Sequence, residues 1–218
     1  MKPWLGNRDI EMFYNCLDNA KVYFEYGSGG STYQALVRKN IEKMYTVENK
    51  KKWQKTVQKL IKKHLIRPTI KILNKDNMTM VKEQQEQGGA RRTAIYIYNK
   101  MPIEPKTLGF PSIQASNQQK INYSDQIVNL NDEDKKLIDL VFIDGRFRAA
   151  CCLKCYNVIR DDCLIAFDDF LNRDYYHIVL DYFDIINSTE DNRMVILKKK
   201  LNKEIPNELI EKYELIAD

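Results

Sequence analysis

The stretch Lys21–Ser31, KVYFEYGSGGS, decides the fold. Val22-Tyr23-Phe24 is a short apolar, β-prone run that meets an acid at Glu25. Gly27, Gly29 and Gly30 follow, and helix-compatible sequence begins at Thr32. Strand, glycine turn and helix is the order this spells. Without a Cβ the backbone can take positive φ and lie against a ligand, while the helix start offers unpaired N–H groups. Glycine turns after strands also serve as plain tight connections, so the motif alone leaves both readings open.

A second β-prone run, Ile41–Val47 (IEKMYTV), stops at Glu48. Nucleotide-type folds hold ribose hydroxyls with a carboxylate roughly 20 residues past their glycines, and Glu48 stands at about that distance. The turn and the acid together define a nucleoside pocket.

With both in view, YFEYGSGGST followed by YTVENKKKW resembles the opening of the small class I S-adenosylmethionine-dependent methyltransferases. The resemblance implies an α/β, Rossmann-like fold. Its sheet would be mostly parallel and seven-stranded, ending in an antiparallel hairpin, with helices on both faces. It also implies that Glu25, Tyr26, Gly27, Ser28, Gly29, Ser31 and Thr32 cup the methyl donor, that Glu48 holds its ribose, and that Asp144 faces it. The glycines read G-S-G-G-S and miss the GxGxxG of dinucleotide enzymes, which places a nucleotide-binding oxidoreductase second.

Bulk properties suit one domain over residues 1–218. A chain of 218 residues with 44% hydrophobic content can fill a core on both faces of a sheet. Lys and Arg number 35 against 30 Asp and Glu, so the surface is mixed; nucleic-acid binding is permitted and not indicated. No run approaches the roughly 18 apolar residues of a membrane helix, and Met1–Glu11 is too polar for a secretory signal, which points to the cytoplasm. Five cysteines, an odd number, argue against a closed disulfide framework. Cys151, Cys152 and Cys155 fall on one expected helix and read as small buried residues, since a structural zinc site wants four ligands at hairpin-like spacing.

In chain order, helices are expected at Asn7–Asn19, with Asn7 as N-cap, at Thr32–Arg38, and at Trp53–Leu65, where Trp53, Val57, Leu60, Ile61 and Leu65 form one stripe. His64, in that helix's last turn, is explained by the helix C-terminus. Pro68 breaks the helix and Thr69–Leu73 is expected as the third strand. From Asn74 to about Asn122 the pattern dissolves into an insertion carrying Gly88-Gly89, Arg91-Arg92, Tyr96-Ile97-Tyr98 and a GFPS turn, expected to form a lid or acceptor-binding segment. A helix over Tyr123–Asp134, a strand over Leu137–Ile143, a helix over Ala149–Ile159 and a strand over Cys163–Phe167 come next. A helix at Arg173–Phe183, a hairpin (Asp184–Ser188 and Arg193–Lys199) and a helix at Pro206–Ile216 close the chain.

The strands before and after Ala149–Ile159 end in Asp144 and in Asp168-Asp169. In an open parallel sheet the C-terminal strand ends form the binding crevice, so these acids should share one cleft with Gly27 and Glu48. Methyl transfer to a hydroxyl needs positioning plus removal of the hydroxyl proton, by a base or by a divalent metal that lowers its pKa. Asp144, Asp168 and Asp169 resemble the magnesium ligands of catechol and macrolide-sugar O-methyltransferases. IDGRFRAAC followed by Asp169-Phe170, Arg173 and Tyr175-Tyr176-His177 is similar to a subgroup with that pattern, and there Asp144, Asp169 or His177 is the expected base. Arg146 and Arg148, with Arg173 and Tyr176, are expected at the acceptor, the first two clamping an acidic group or pairing with the site's own carboxylates. Over Val22–Trp53 and Leu137 to about Lys199 the chain is similar to the rhamnose O-methyltransferases of large algal viruses, which implies a sugar or glycan hydroxyl as acceptor, or else another small molecule, with S-adenosylmethionine and, in the metal reading, Mg2+ as cofactors.

Overall fold

The computed structural model describes residues 1–64, 67–72, 77–85, 91–190 and 193–217. Nine strands form one sheet: β1 (Val22–Tyr26), β2 (Lys43–Glu48), β3 (Arg67–Ile72), β4 (Asn77–Gln85), β5 (Arg91–Asn99), β6 (Leu140–Ile143), β7 (Leu164–Phe167), β8 (Phe183–Ser188) and β9 (Val195–Lys199). They lie in the order β3-β4-β5-β2-β1-β6-β7-β9-β8. From β5 to β7 the strands are parallel, and β9 and β8 add antiparallel at the far edge. Seven of them, β5-β2-β1-β6-β7-β9-β8, form the expected mostly parallel sheet with an antiparallel hairpin at its end. Two more, β3 and β4, extend the β5 edge as antiparallel neighbours.

That edge corrects the sequence reading. The third parallel strand is Arg91–Asn99, which pairs with β2 from Thr93 to Tyr98. Thr69 to Ile72 belong instead to an outer antiparallel strand, while Leu73, Gly88 and Gly89 lie outside the described residues. The stretch expected to be patternless therefore contributes two strands. TAIYIY (residues 93–98) has the alternation and β-branched or aromatic content of a strand, and its distance from β2 along the chain hid it.

The central parallel strands β1 and β6 are buried at every residue, as helices covering both faces require. On β1, Val22, Phe24 and Tyr26 enter one core with Ala149–Cys155 and Tyr213. Tyr23 points to the other, among Phe13, Leu17, Leu36, Val57 and Phe142. These contacts set α1 (Asn7–Asn19), α2 (Gly30–Val37) and α3 (Lys51–His64) on one side. Helices α4 (Asn117–Ser124), α6 (Arg148–Cys155) and α7 (Asn207–Glu214) take the other. Cys151, Cys152 and Cys155 are fully buried in α6, and all five cysteines are free.

Several boundaries differ for local reasons. Asn7 is the first helical residue and Gly6 the cap, its N–H bonded to Asp9 at 3.1 Å. Tyr123–Asp134 is not one helix. Ser116 and Gln119 form a reciprocal capping box that starts α4 earlier, and Asn131 accepts from the Asp134 amide to start α5 (Asp132–Leu137). The run Asp174–Asp181 is a 3-10 helix. Among the described residues no helix is long and apolar enough to cross a membrane.

Candidate functional site

At the carboxyl ends of β1, β2, β6 and β7 opens a cavity of about 560 Å3, lined by Gly27–Ser31, Glu48, Asp144, Arg148, Asp168 and Asp169 among others. A backbone staircase fixes these ends against one another. Gly27 N–H donates to the Val47 carbonyl at 2.9 Å, Asp144 N–H to Tyr26 at 3.0 Å, and Asp168 N–H to Ile143 at 3.1 Å. Gly27 sits at φ +94°, and a Cβ there would come within 2.9 Å of the Asp144 carbonyl. Only glycine meets both conditions. At Gly29, by contrast, no atom lies within 4 Å of where a Cβ would be. Backbone there borders open cleft.

Glu48 ends β2 and closes the turn. Its Oε2 accepts from the Ser28 amide at 3.2 Å and the Ser28 hydroxyl at 2.7 Å, and its Oε1 from the amides of Asn49 and Lys50 at 2.9 and 2.8 Å. Burial raises its pKa, and these donors lower it. Glu25 plays a different part from the one expected. It is fully buried behind the turn, accepting from the hydroxyls of Tyr23 (2.8 Å), Ser31 (2.7 Å) and Thr32. Burial pushes it up to about 7 against the lowering effect of those hydroxyls. Tyr26 is likewise buried, its hydroxyl donating to the Ser124 carbonyl at 2.6 Å and tying α4 to the sheet. Glu25, Tyr26 and Thr32 thus shape the turn from behind, whereas Gly27, Ser28, Gly29 and Ser31 face the cavity.

The acidic floor is built round one guanidinium. Arg148, only 4% exposed, places Nη2 3.1 Å from Asp144 Oδ1 and Nη1 3.8 and 3.7 Å from carboxylate oxygens of Asp168 and Asp169. It also donates to the backbone carbonyls of Gly145 at 3.1 Å and Asp168 at 2.8 Å. Asp169, at φ +57°, has both oxygens engaged, by Arg173 at 2.8 Å and Arg193 at 2.9 Å. Burial first, then the charges of Asp144 and Asp169, push Asp168 up to about 8. Burial also raises Asp144, with Arg148 pulling it back and the Asp169 charge adding to the rise. A magnesium ion does not fit this arrangement, because the point on which the three carboxylates converge is taken by Arg148. Among the described residues no group of three or more His, Cys, Asp or Glu is placed to hold a metal ion.

Other expected residues divide cleanly. Arg146 and Arg173 line the cavity, Arg146 with its guanidinium 4.6 Å over the Phe110 ring. Tyr176 does not; it is fully buried against Phe167 and Phe170, and its hydroxyl accepts from Arg173 at 3.2 Å. His177 is also off the cavity lining, its ring 5.5 Å from Phe170 and its Nδ1 4.0 Å from Asp174. Sequence reading missed Asn49, Tyr123, Arg193 and the whole segment Met1–Gly6, all of which line the cavity. Trp53, noted only as part of a helical stripe, lines it too. Position after Glu48 is a usable signal for Asn49 and Trp53; the others are brought in by tertiary packing alone.

No protein-family model matches the chain, and no curated protein matches it in sequence. Among solved structures, a methyltransferase-like protein from Silicibacter pomeroyi aligns with a TM-score of 0.72 at 19% identity, over 97% of this chain and 94% of that one. An O-methyltransferase from Bacillus cereus, solved with SAH, aligns at a TM-score of 0.51 and 12% identity, over 90% and 82%. The strand order, the glycine turn at the end of β1 and these likenesses agree: the chain has the Rossmann-like fold of the class I methyltransferases.

Proposed function

We propose that the protein is an S-adenosylmethionine-dependent O-methyltransferase acting in the cytoplasm on a hydroxyl of a sugar or glycan, of rhamnose type. The observation that carries this is the single cavity joining the Gly27–Gly29 turn and Glu48 to the Asp144–Arg148 cluster. S-adenosylmethionine, when bound, supplies a methyl group already activated on a sulfonium. Open cleft beside Gly29 and a carboxylate at the end of β2 fit its methionyl and ribose parts.

The chain's own residues then supply position and a base. Asp144, a third of its side chain open to the cavity, accepts the proton of the acceptor hydroxyl. Arg148 holds that carboxylate in place and balances its charge; Asp168, whose carboxyl burial pushes up to about 8, bonds to Asp144 beside it. Asp169, held by two further arginines, is a structural anion here and not a base. With Arg148 as the resident cation, no metal takes part. Leu108, on the cavity wall, and Phe110, beneath Arg146, make the segment around residues 100–116 the outer, acceptor-facing wall.

Calorimetry with S-adenosylhomocysteine is the direct test. Micromolar affinity or better, about 8 kcal/mol, is expected, and no binding at millimolar ligand would remove the proposal.

A further inference from the structure

A second wall of the cavity, besides the one carrying Leu108, is the chain's own first six residues, Met1–Gly6. This strap is fixed at both ends. At one end Gln34 Nε2 donates to the Met1 carbonyl at 2.8 Å. There the Lys2–Pro3 backbone also lies so close to Gly30 that a Cβ on Gly30 would overlap it. At the other end Gly6 leads into Asp9, fully buried and bonded back to the Gly6 amide. Gly6, where the strap meets α1, lines the same cavity as Arg193, Asp168 and Asp169, and Arg193 donates to Asp169 at 2.9 Å. The strap therefore crosses from the glycine turn to the carboxylate cluster.

Trp4 stands in the middle of that crossing and is 85% exposed while lining the cavity. An indole is a large rigid apolar surface, and leaving one in water forgoes much of its burial energy unless something covers it. Trp4, Leu5, Leu108 and Trp53 give the cavity an apolar rim above a floor of charged groups. A ligand with one apolar face and a hydroxylated edge matches both levels, and a pyranose ring is such a ligand. We infer that Trp4 is the residue that selects and positions the acceptor, its indole stacking on the C–H face of a pyranose so that one ring hydroxyl is presented to Asp144.

This rests on the methyl-transfer reading, and the test separates the two. The chain has two tryptophans, Trp4 and Trp53, both on the cavity. In Trp53→Phe protein loaded with S-adenosylhomocysteine, Trp4 emission is titrated with methyl α-L-rhamnopyranoside and a panel of other methyl pyranosides. At least one should shift and quench it. With that glycoside as acceptor, Trp4→Ala should raise KM about tenfold, with kcat within about twofold and S-adenosylhomocysteine affinity unchanged, and Trp4→Phe should recover part of the loss. Emission unmoved by every glycoside in protein that binds S-adenosylhomocysteine, or a KM unchanged in Trp4→Ala, overturns the assignment. Failure to bind S-adenosylhomocysteine removes the methyl-transfer reading and this inference with it.

Discussion

The Ser28 hydroxyl donates to Glu48 Oε2 at 2.7 Å, so the glycine turn is latched to the acid at the end of the neighbouring strand. A carboxylate offers about four lone-pair sites, and four protein donors already use those of Glu48. If Glu48 holds a ribose as proposed, one ribose hydroxyl takes the place of the Ser28 hydroxyl. Glu48→Ala should therefore weaken S-adenosylhomocysteine binding by about 1 to 3 kcal/mol, and Ser28→Ala should leave it unchanged or a few-fold tighter. Calorimetry on both variants checks this; equal losses would mean that the latch itself is needed for binding.

Asp144→Asn retains shape and removes the proposed proton acceptor. Turnover should fall at least about 100-fold while S-adenosylhomocysteine affinity stays within about twofold. Product formation under single-turnover conditions is the readout, and a rate near that of the unaltered protein would assign the proton elsewhere.

Because Arg148 is the cation among three carboxylates, methyl transfer should be unaffected by chelator. Arg148→Ala takes from Asp144 and Asp168 the guanidinium that faces them and should cost about 3 to 5 kcal/mol of stability, read by urea unfolding. Activity abolished by chelator and restored by Mg2+ would contradict this placement of charge.

Gly27→Ala sets a side chain at φ +94° and 2.9 Å from the Asp144 carbonyl. A loss of about 1 to 3 kcal/mol in stability is expected, with S-adenosylhomocysteine binding weakened as well, because relief can come only by parting β1 from β6. Unchanged stability would show that the two strand ends are not held together.

Glu25 gives a pH dependence of defined sign. Its folded pKa, about 7, lies above the ordinary carboxylate value, so between roughly pH 4 and 7 the folded protein binds more protons than the unfolded chain. Its contribution is thus most favourable at acid pH and is lost as pH rises through that window, by about 3 kcal/mol at most. Urea unfolding at pH 5 and 8 should show this fall, and Glu25→Gln should flatten it. A slope identical in the variant would place the dependence on another group.

Much of this architecture was legible because the informative segments are local. KVYFEYGSGGS carries strand, turn and helix start within eleven residues, and LIDLVFIDG and CLIAFDD each end a buried apolar run in acid. Asp144, Asp168 and Asp169 could be assigned to one crevice from topology alone. What could not be read were roles set by depth: Glu25 and Glu48 look alike in sequence, yet one is sealed behind the turn and the other lines the cavity. Charge partners were equally hidden, since nothing in DGRFR tells that Arg148 turns inward to the acids while Arg146 stacks on Phe110. The third parallel strand was displaced by the two-strand extension, which put it far from the position the usual alternation of strand and helix suggests.

The amide staircase linking Val47, Gly27, Tyr26, Asp144, Ile143 and Asp168 carries one more consequence. It sets the separation between the glycine turn and Asp144 by main-chain geometry, as rungs set the width of a ladder, so that side chains can alter it only where, as at Gly27, they would press on the rungs themselves. A slide of β6 by one residue would turn Asp144 to the opposite face of the sheet. On the reading proposed above, the distance from base to methyl source is thus written into the backbone, and the choice of acceptor is left to the rim.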